Sequence, residues 1–584
     1  MSRATRMKIG KQWVIRELPP DKIMNNHLSA YPEITAKLLY YRGIEDHESA
    51  EKFLNPDYSR DIHDPYMARD MEKTVGRIEK AISDGERIVV VADYDADGIP
   101  GGAILYSFFT KIGYENFEVY IPDRYTESYG LSVALVEKLA KFGAKLIITV
   151  DCGITDIAPV LCAKELGVDV IVTDHHLPHA ELPGAFAVIN NKREDDTYPF
   201  KFLCGAATAW KLVCALLKRP QFKIQDGWEK WLLDLAGIST ICDMVSLTGE
   251  NRAIAHFGLK VLSKTRRPGL VSLLSKARID PEFITEDDIG FTIGPRINIA
   301  SRMAHGEEAF RLLTTDSWPE ARAISDSLEK RNQERRKTVQ DILDDIDSAF
   351  MEVELPSLIV RGKPEWRLGV LGLTCMRLVE KYGRPVCLWT INGTGEVKGS
   401  IRSDGTVHVL KLFEAAGGEE FFNDYGGHAF SGGFTLNQNK AEEFESRMIV
   451  AYEKVKNCES AIAGVSIDHV LNLSDLTWDF YNQIAKFAPF GMDNPKPNFL
   501  FSNIMVESVR EFGKNGNTHI ELIFKNESGR KIKAIEFFVN TYSYGDFEIK
   551  AGKKIDLVAT IERSNYMGAN DLRLRVVDIK EATT

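Results

Sequence analysis

Long apolar runs are missing from this chain of 584 residues. None approaches the roughly twenty residues that span a bilayer, so a helical membrane protein is excluded. Cysteine is scarce as well: there are eight, scattered, with no C-x-x-C pair. That excludes a thiolate metal centre and a disulfide framework, and the thiols read as reduced and buried in a cytoplasmic protein. An excess of positive charge is absent too, the net charge being −11. Proteins that coat duplex nucleic acid are usually basic. A nuclease with one basic groove stays open, because acidic metal ligands lower the total. No internal repeat and no low-complexity segment appears. Met1 to Lys8 carry charge with no apolar stretch behind them, so neither a secretory signal nor membrane association is expected. The length suggests roughly three to five domains.

What is present converges on Ile171–His176 (I-V-T-D-H-H). A β-branched run from Val168 to Thr173 reads as a buried strand, and it ends on Asp174-His175-His176. Alone, these three fit an exposed polar turn as well as a metal site. Other strands end in the same way. Arg87–Ala92 leads into Asp93-Tyr94-Asp95-Ala96-Asp97-Gly98, Lys145–Val150 into Asp151-Cys152-Gly153, and Phe117–Ile121 into Asp123-Arg124. Helices between them, about 101–112, 132–142 and 157–166, imply βαβ units and a mostly parallel sheet. Ligand sites in such sheets lie beyond the carboxyl ends of the strands, where Asp93, Asp95, Asp97, Asp151, Asp174, His175 and His176 gather. A helical region over 205–262 adds Asp243 in near-apolar surroundings, which favours burial with a partner.

Ser317-x-x-Glu320 is a capping box that opens a long polar helix to about Phe350, read as a connector between two lobes. A second α/β unit over about 355–455 holds Gly399-Ser400-Ile401-Arg402-Ser403 and the glycines around Tyr425–His428 and Ser431–Gly433. Those glycines fit tight turns, or a backbone brought close to phosphate. From about 465 five strand-like runs follow, over 499–510, 518–524, 531–538, 554–561 and 571–578, and they fit a small closed barrel of OB type. His519, Phe537, Arg563, Tyr566 and Arg573 are candidates there for single-strand binding.

Many Asp with two His and no Cys make an oxygen-rich site suited to Mn²⁺ or Mg²⁺. Their repulsion calls for two divalent cations, the usual arrangement for phosphoester hydrolysis. Asp93-x-Asp95-x-Asp97 alone resembles a calcium loop. It follows a buried strand, however, and lacks the acid at the twelfth position, so calcium sensing is rejected.

D-Y-D-A-D-G, V-D-C-G, T-D-H-H and a distant G-G-H, in this order, resemble the DHH phosphoesterase superfamily with its DHHA1 domain. L-C-G-A-A-T-A-W-K, G-P-R-I-N, G-S-I-R-S and P-F-G-M-D-N-P-K-P narrow the resemblance to its single-strand-specific exonucleases. The resemblance implies a parallel-sheet DHH domain joined by a long helix to an α/β DHHA1 domain, with a C-terminal OB barrel. The division expected is a helical lead-in over 1–60, then 61–315, 316–350, 351–460 and 461–584. The activity implied is 5′→3′ degradation of single-stranded DNA to mononucleotides in repair and recombination.

The metal ligands implied are Asp93, Asp95, Asp97, Asp151, His175, His176 and Asp243, with Asp174 a ligand or an orienter. Asp95, Asp151, His175, His176 and His428 would be catalytic. Arg124, Arg296, Ser400 and Arg402 would form a 5′-phosphate pocket and Tyr129 would stack on a base. Gly426, Gly427 and His428 would hold the scissile phosphate. Expected partners are single-stranded DNA with a 5′ end, a single-strand-binding protein and a helicase, with the chain itself a monomer. Departures from the family pattern are Trp366-Arg367 in place of W-H, Asn190-Asn191-Lys192 in place of N-P-K, and Ala300-Ser301-Arg302 at the A-A-G-R step. A DHH enzyme of oligoribonucleotides, cyclic dinucleotides or pyrophosphate needs neither barrel nor connector. A non-catalytic single-strand-binding scaffold would be expected to lose ligands.

Overall fold

A computed structural model describes residues 12–127, 129–350, 355–391, 395–456, 464–513, 518–544, 547–564 and 570–582. Tyr566 lies outside them. The chain forms two compact units: Ile44–Gln333 with Lys486–Lys496, and Met1–Gly43 with Glu334–Ala485 and Pro497–Thr584.

The first unit is organised on a five-stranded sheet in the order Phe117–Tyr120, Arg87–Ala92, Ala144–Val150, Asp169–Thr173, Ala187–Ile189. All its pairings are parallel. Successive residues serve opposite faces. Ile88, Val90, Leu146 and Ile148 pack with Ile104, Phe108 and Trp210, while Val89, Val91, Ile147 and Val172 pack with Leu135, Val136 and Val160. Burial on both faces is why these strands read as unbroken apolar runs.

Register then positions the site. Ala92, Val150, Thr173 and Ile189 lie side by side at the strand ends. The ladder continues one residue further, as the amides of Asp93, Asp151 and Asp174 donate to the carbonyls of Val150, Thr173 and Ile189 at 3.1, 3.0 and 3.1 Å. Asp93, Asp151, Asp174 and Asn190 therefore form one row at the carboxyl edge.

The helix Trp318–Ala349, 32 residues long, runs from the first unit into the second. The amide of Glu320 donates to Ser317 Oγ at 3.3 Å, the cap anticipated from sequence. In the second unit a five-stranded sheet has the order Asp424–Gly427, Ser431–Asn437, Glu396–Arg402, Val386–Ile391, Ile359–Gly362. Its last pair is parallel and the others antiparallel.

The C-terminal barrel uses Phe499–Phe512, His519–Lys525, Lys531–Glu536, Lys554–Ser564 and Asp571–Glu581. A register shift between Phe501 and Ile504 lets the long first strand pair with Lys554–Ser564 through one half and with His519–Lys525 through the other. Pairing of Lys531–Glu536 with Asp571–Glu581 completes the closure. Short strands escaped the sequence reading, Trp13–Ile15, Val465–Ile467 and His469–Val470 among them. Trp13–Ile15 pairs in parallel with Val465–Ile467, and three residues are too few for periodicity to register. Among the described residues no helix is long and apolar enough to cross a membrane.

Candidate active site

The turn after Arg87–Ala92 is held from inside. Asp95 Oδ1 accepts the amides of Asp97 and Gly98 at 2.7 and 3.2 Å, just before the helix Gly98–Lys111. A Cβ on Gly98 would lie 2.4 Å from the Asp93 carbonyl oxygen, so this turn requires glycine. Both oxygens of Asp97 accept backbone amides, from Gly205 at 2.6 Å and Ala206 at 2.8 Å. These amides open the helix Gly205–Leu217, whose dipole favours an anion at that end. The Ala96 peptide is gripped on both sides. Its N–H donates to Asn298 Oδ1 at 2.8 Å, and its carbonyl accepts from Ser239 Oγ at 3.0 Å.

His175 is buried with Nε2 at 3.0 Å from Asp151 Oδ1, 3.5 Å from Asp243 Oδ2 and 3.6 Å from Asp97 Oδ2. His176 Nδ1 lies 2.8 Å from Asp174 Oδ1, so that ring nitrogen carries the proton and Nε2 keeps its lone pair. Both oxygens of Asp174 are engaged. Its Oδ1 also accepts the amides of His175 and His176 at 2.7 and 3.1 Å, and Oδ2 accepts that of Ile154 at 3.0 Å. Of the two roles the sequence left open for Asp174, ligand or orienter, these contacts are those of an orienter of His176.

The electrostatics describe a site crowded with anions. Burial, then the neighbouring carboxylates, push Asp93 and Asp151 well above the ordinary carboxylate range. Burial and the charges of Asp97 and Asp95 push Asp243 up to about 9. Burial lowers His175 and leaves it neutral, as a metal ligand must be. Burial also disfavours the His176 imidazolium, but the bond to Asp174 and the acidic charges around it more than offset this and raise its pKa.

The donor set fits divalent cations. Buried Asp93 Oδ1, Asp151 Oδ1 and both ring nitrogens of His175 have no hydrogen-bond partner, a costly arrangement unless something coordinates them. Three groups bring their ligand atoms within 4.8 Å of one another: Asp151/His175/His176, Asp97/His175/Asp243 and Asp93/Asp95/Asp151. Asp151 and His175 each belong to two groups, so the three groups form one connected set of donors.

The expected substrate residues divide between the units. Arg124 stacks over Tyr94 at 4.9 Å and its charge reaches Asp93. The Tyr129 hydroxyl donates to the Asp151 carbonyl at 2.8 Å, and the ring meets His176 edge-on at 5.9 Å. Arg296, expected in the phosphate pocket, is engaged in an ion pair in this structure. It is buried, with Nε and Nη2 on Glu329 Oε2 at 3.0 and 2.7 Å and Nη1 on the Thr292 carbonyl. A phosphate at Arg296 would have to compete with Glu329.

In the second unit Ser400 and Arg402 share one face of their strand, and Arg402 Nη1 donates to Ser400 Oγ at 3.1 Å. A Cβ on Gly372 would lie 3.1 Å from both Arg402 Nη2 and Ser400 Oγ, so that glycine leaves room beside them. Gly426 and Gly427 pair with Gly433 and Gly432, the strand segment that also pairs with Ser400 and Ile401. His428 is exposed, its amide donating to the Ser431 carbonyl at 2.7 Å.

Of the barrel candidates, His519 and Phe537 meet at 5.1 Å, with Arg575 over Phe537 at 4.1 Å. Arg573 is paired with Glu562 and Arg563 bonds Asn570. Sequence reasoning missed the amides of Gly205 and Ala206, Asn298, Ser239 and Glu329. The first three were in view only as parts of the L-C-G-A-A and G-P-R-I-N motifs.

Three family models match the chain: the DHH family N-terminal domain over 87–240, the DHHA1 domain over 355–454 and the RecJ OB domain over 467–578. The single-stranded-DNA-specific exonuclease RecJ of Bacillus subtilis is 34% identical, over 97% of this chain and 70% of its own length. The chain belongs to the RecJ family. RecJ of Escherichia coli is 30% identical over 87% of this chain and 90% of its own length. Among solved structures, RecJ of Thermus thermophilus in complex with Mn²⁺ superposes with a TM-score of 0.80 at 25% identity, covering 98% of this chain and 80% of that one. A manganese-bound exonuclease RecJ covers 68% of this chain and 97% of its own at 31% identity, with a TM-score of 0.59. The RecJ fold thus accounts for the parallel sheet, the second α/β domain and the closed barrel.

Proposed function

We propose that this RecJ-family chain is a metal-dependent exonuclease that degrades single-stranded DNA from its 5′ end to mononucleotides. One observation carries the reading: Asp93, Asp151 and His175 meet at the carboxyl edge of one sheet with buried ligand atoms that make no hydrogen bond. Asp93, Asp95, Asp97, Asp151, His175, His176 and Asp243 would hold two Mn²⁺ or Mg²⁺ ions. When bound, the cations supply an activated water and charge for the departing oxyanion. The protein's part is positional. Asp97 is pinned by two helix amides, His176 is turned by Asp174, and Tyr129 ties the Asp151 backbone to the histidine. Ser400, Arg402 and the Gly426–His428 turn form the phosphate-holding set, with Arg402 as a fork for a 5′-phosphate.

The working division is a lead-in over 1–60, the DHH domain over 61–315, the connector over 316–350, the DHHA1 domain over 351–460 and the barrel over 461–584. The enzyme would act as a cytoplasmic monomer in repair and recombination, taking strands exposed by a helicase and covered by a single-strand-binding protein. Incubating labelled single-stranded DNA, duplex DNA, RNA and a cyclic dinucleotide side by side with Mn²⁺ tests the substrate. Single-stranded DNA should be consumed fastest, and a preference for the cyclic dinucleotide would overturn the reading.

A further inference from the structure

The motif P-F-G-M-D-N-P-K lies far along the chain from any catalytic residue, yet Lys486–Lys496 packs within the first unit while its sequence neighbours on both sides belong to the second. The segment is closed on itself by Asn494, which is fully buried and donates through Nδ2 to the carbonyls of Phe487 and Pro489, both at 2.8 Å. It is seized from the first unit by Arg252. Arg252 is 3% exposed, and its guanidinium reaches the carbonyls of Phe487 at 2.7 Å, Lys486 at 3.0 Å and Phe53 at 2.9 Å. A fork with several fixed donors suits such a cluster of carbonyls; a lysine ammonium does not.

The other side of this segment touches the loop after Asp243. The Leu247 amide donates to the Met492 carbonyl at 2.9 Å. The Leu247 side chain is buried against Gly491, where a Cβ would lie 2.6 Å from Leu247 Cδ1. Leu247 stands four residues after Asp243, on the segment that leaves the helix Leu233–Cys242.

We propose that Lys486–Lys496 is a clip, locked by Arg252, that positions Asp243 for cation binding. Arg252 and Gly491 are then positioning residues for a metal ligand, not structural filler. The inference rests on the metal-dependent reading above. Loss of a group that orients a metal ligand typically weakens binding tenfold to a hundredfold.

The test is a titration of the full-length protein with Mn²⁺ alone, read by the electron paramagnetic resonance signal of free Mn²⁺. Gly491→Ala and Arg252→Lys are compared with wild type, and kcat and KM for a single-stranded oligonucleotide are measured beside them. The expected result is a weakest Mn²⁺ site about tenfold weaker in both variants, lower kcat at limiting Mn²⁺ and an unchanged KM for DNA. Should Arg252→Lys fail to fold, Gly491→Ala decides alone, since a leucine side chain can yield to one methyl. Wild-type Mn²⁺ affinity in folded Gly491→Ala overturns the clip. No Mn²⁺ uptake by wild type would instead overturn the metal-dependent reading.

Discussion

Asp174→Asn separates an orienting carboxylate from a metal ligand. The side chain is 1% exposed and accepts four hydrogen bonds, from the amides of Ile154, His175 and His176 and from His176 Nδ1. An asparagine keeps one acceptor oxygen. Its NH₂ group must face either the Ile154 amide or the histidine amides, donor against donor. At least one buried N–H is left unsatisfied, a cost of about 1–3 kcal/mol. His176 also loses the charge that fixes its proton on Nδ1, so cation affinity should fall about tenfold to a hundredfold. The assay is the Mn²⁺ concentration that half-activates hydrolysis of a single-stranded oligonucleotide, with urea unfolding alongside. Activity should recover at high Mn²⁺, because every direct ligand remains. A wild-type midpoint with wild-type stability would refute the orienting role. Failure to recover at saturating Mn²⁺ would return Asp174 to the ligands.

Gly205→Ala should cost about 1–3 kcal/mol of stability and cut hydrolysis more than a hundredfold. Its Cβ would lie 2.5 Å from Asp151 Cβ and must displace the amides that hold Asp97, which unfolding and rate measurements check together. Arg402→Ala removes a charge-assisted contact of about 1.5–3 kcal/mol, so cleavage of 5′-phosphorylated strands should slow about tenfold to a hundredfold. The loss should shrink on a 5′-hydroxyl substrate compared in parallel. His256, held down to about 4 by burial and the charges of Lys260 and Arg252, is neutral when folded. Stability fully present above the unfolded value of 6.5 is therefore lost as pH falls from there toward 4. In His256→Asn the drop in melting temperature between pH 7 and pH 5 should be smaller.

The metal edge was legible because three strands buried on both faces each end on an acid. In a parallel sheet with matched register, the residue after each strand falls in one row. The barrel was legible for a related reason: its five strands are long and separated by turns. What stayed hidden depends on the direction of single bonds. Nothing in T-D-H-H says whether Asp174 faces a cation or the amides beside it. Arg296 looks like an anion handle in G-P-R-I-N, yet its partner Glu329 stands 33 positions away on another helix. Gly205 and Ala206 act through backbone amides, which carry no side-chain signature. Trp13–Ile15 finds its partner strand some 450 residues later, beyond any local pattern.

The most direct test of the central claim follows one single-stranded oligonucleotide, labelled at either end, through hydrolysis with Mn²⁺ by wild type and Asp151→Ala. Wild type should release the 5′ label at once as a mononucleotide while the 3′-labelled strand shortens progressively. Asp151→Ala should leave both labels intact, since it removes the carboxylate common to two ligand groups. Internal fragments from either label, or an Asp151→Ala rate within about tenfold of wild type, would contradict the account.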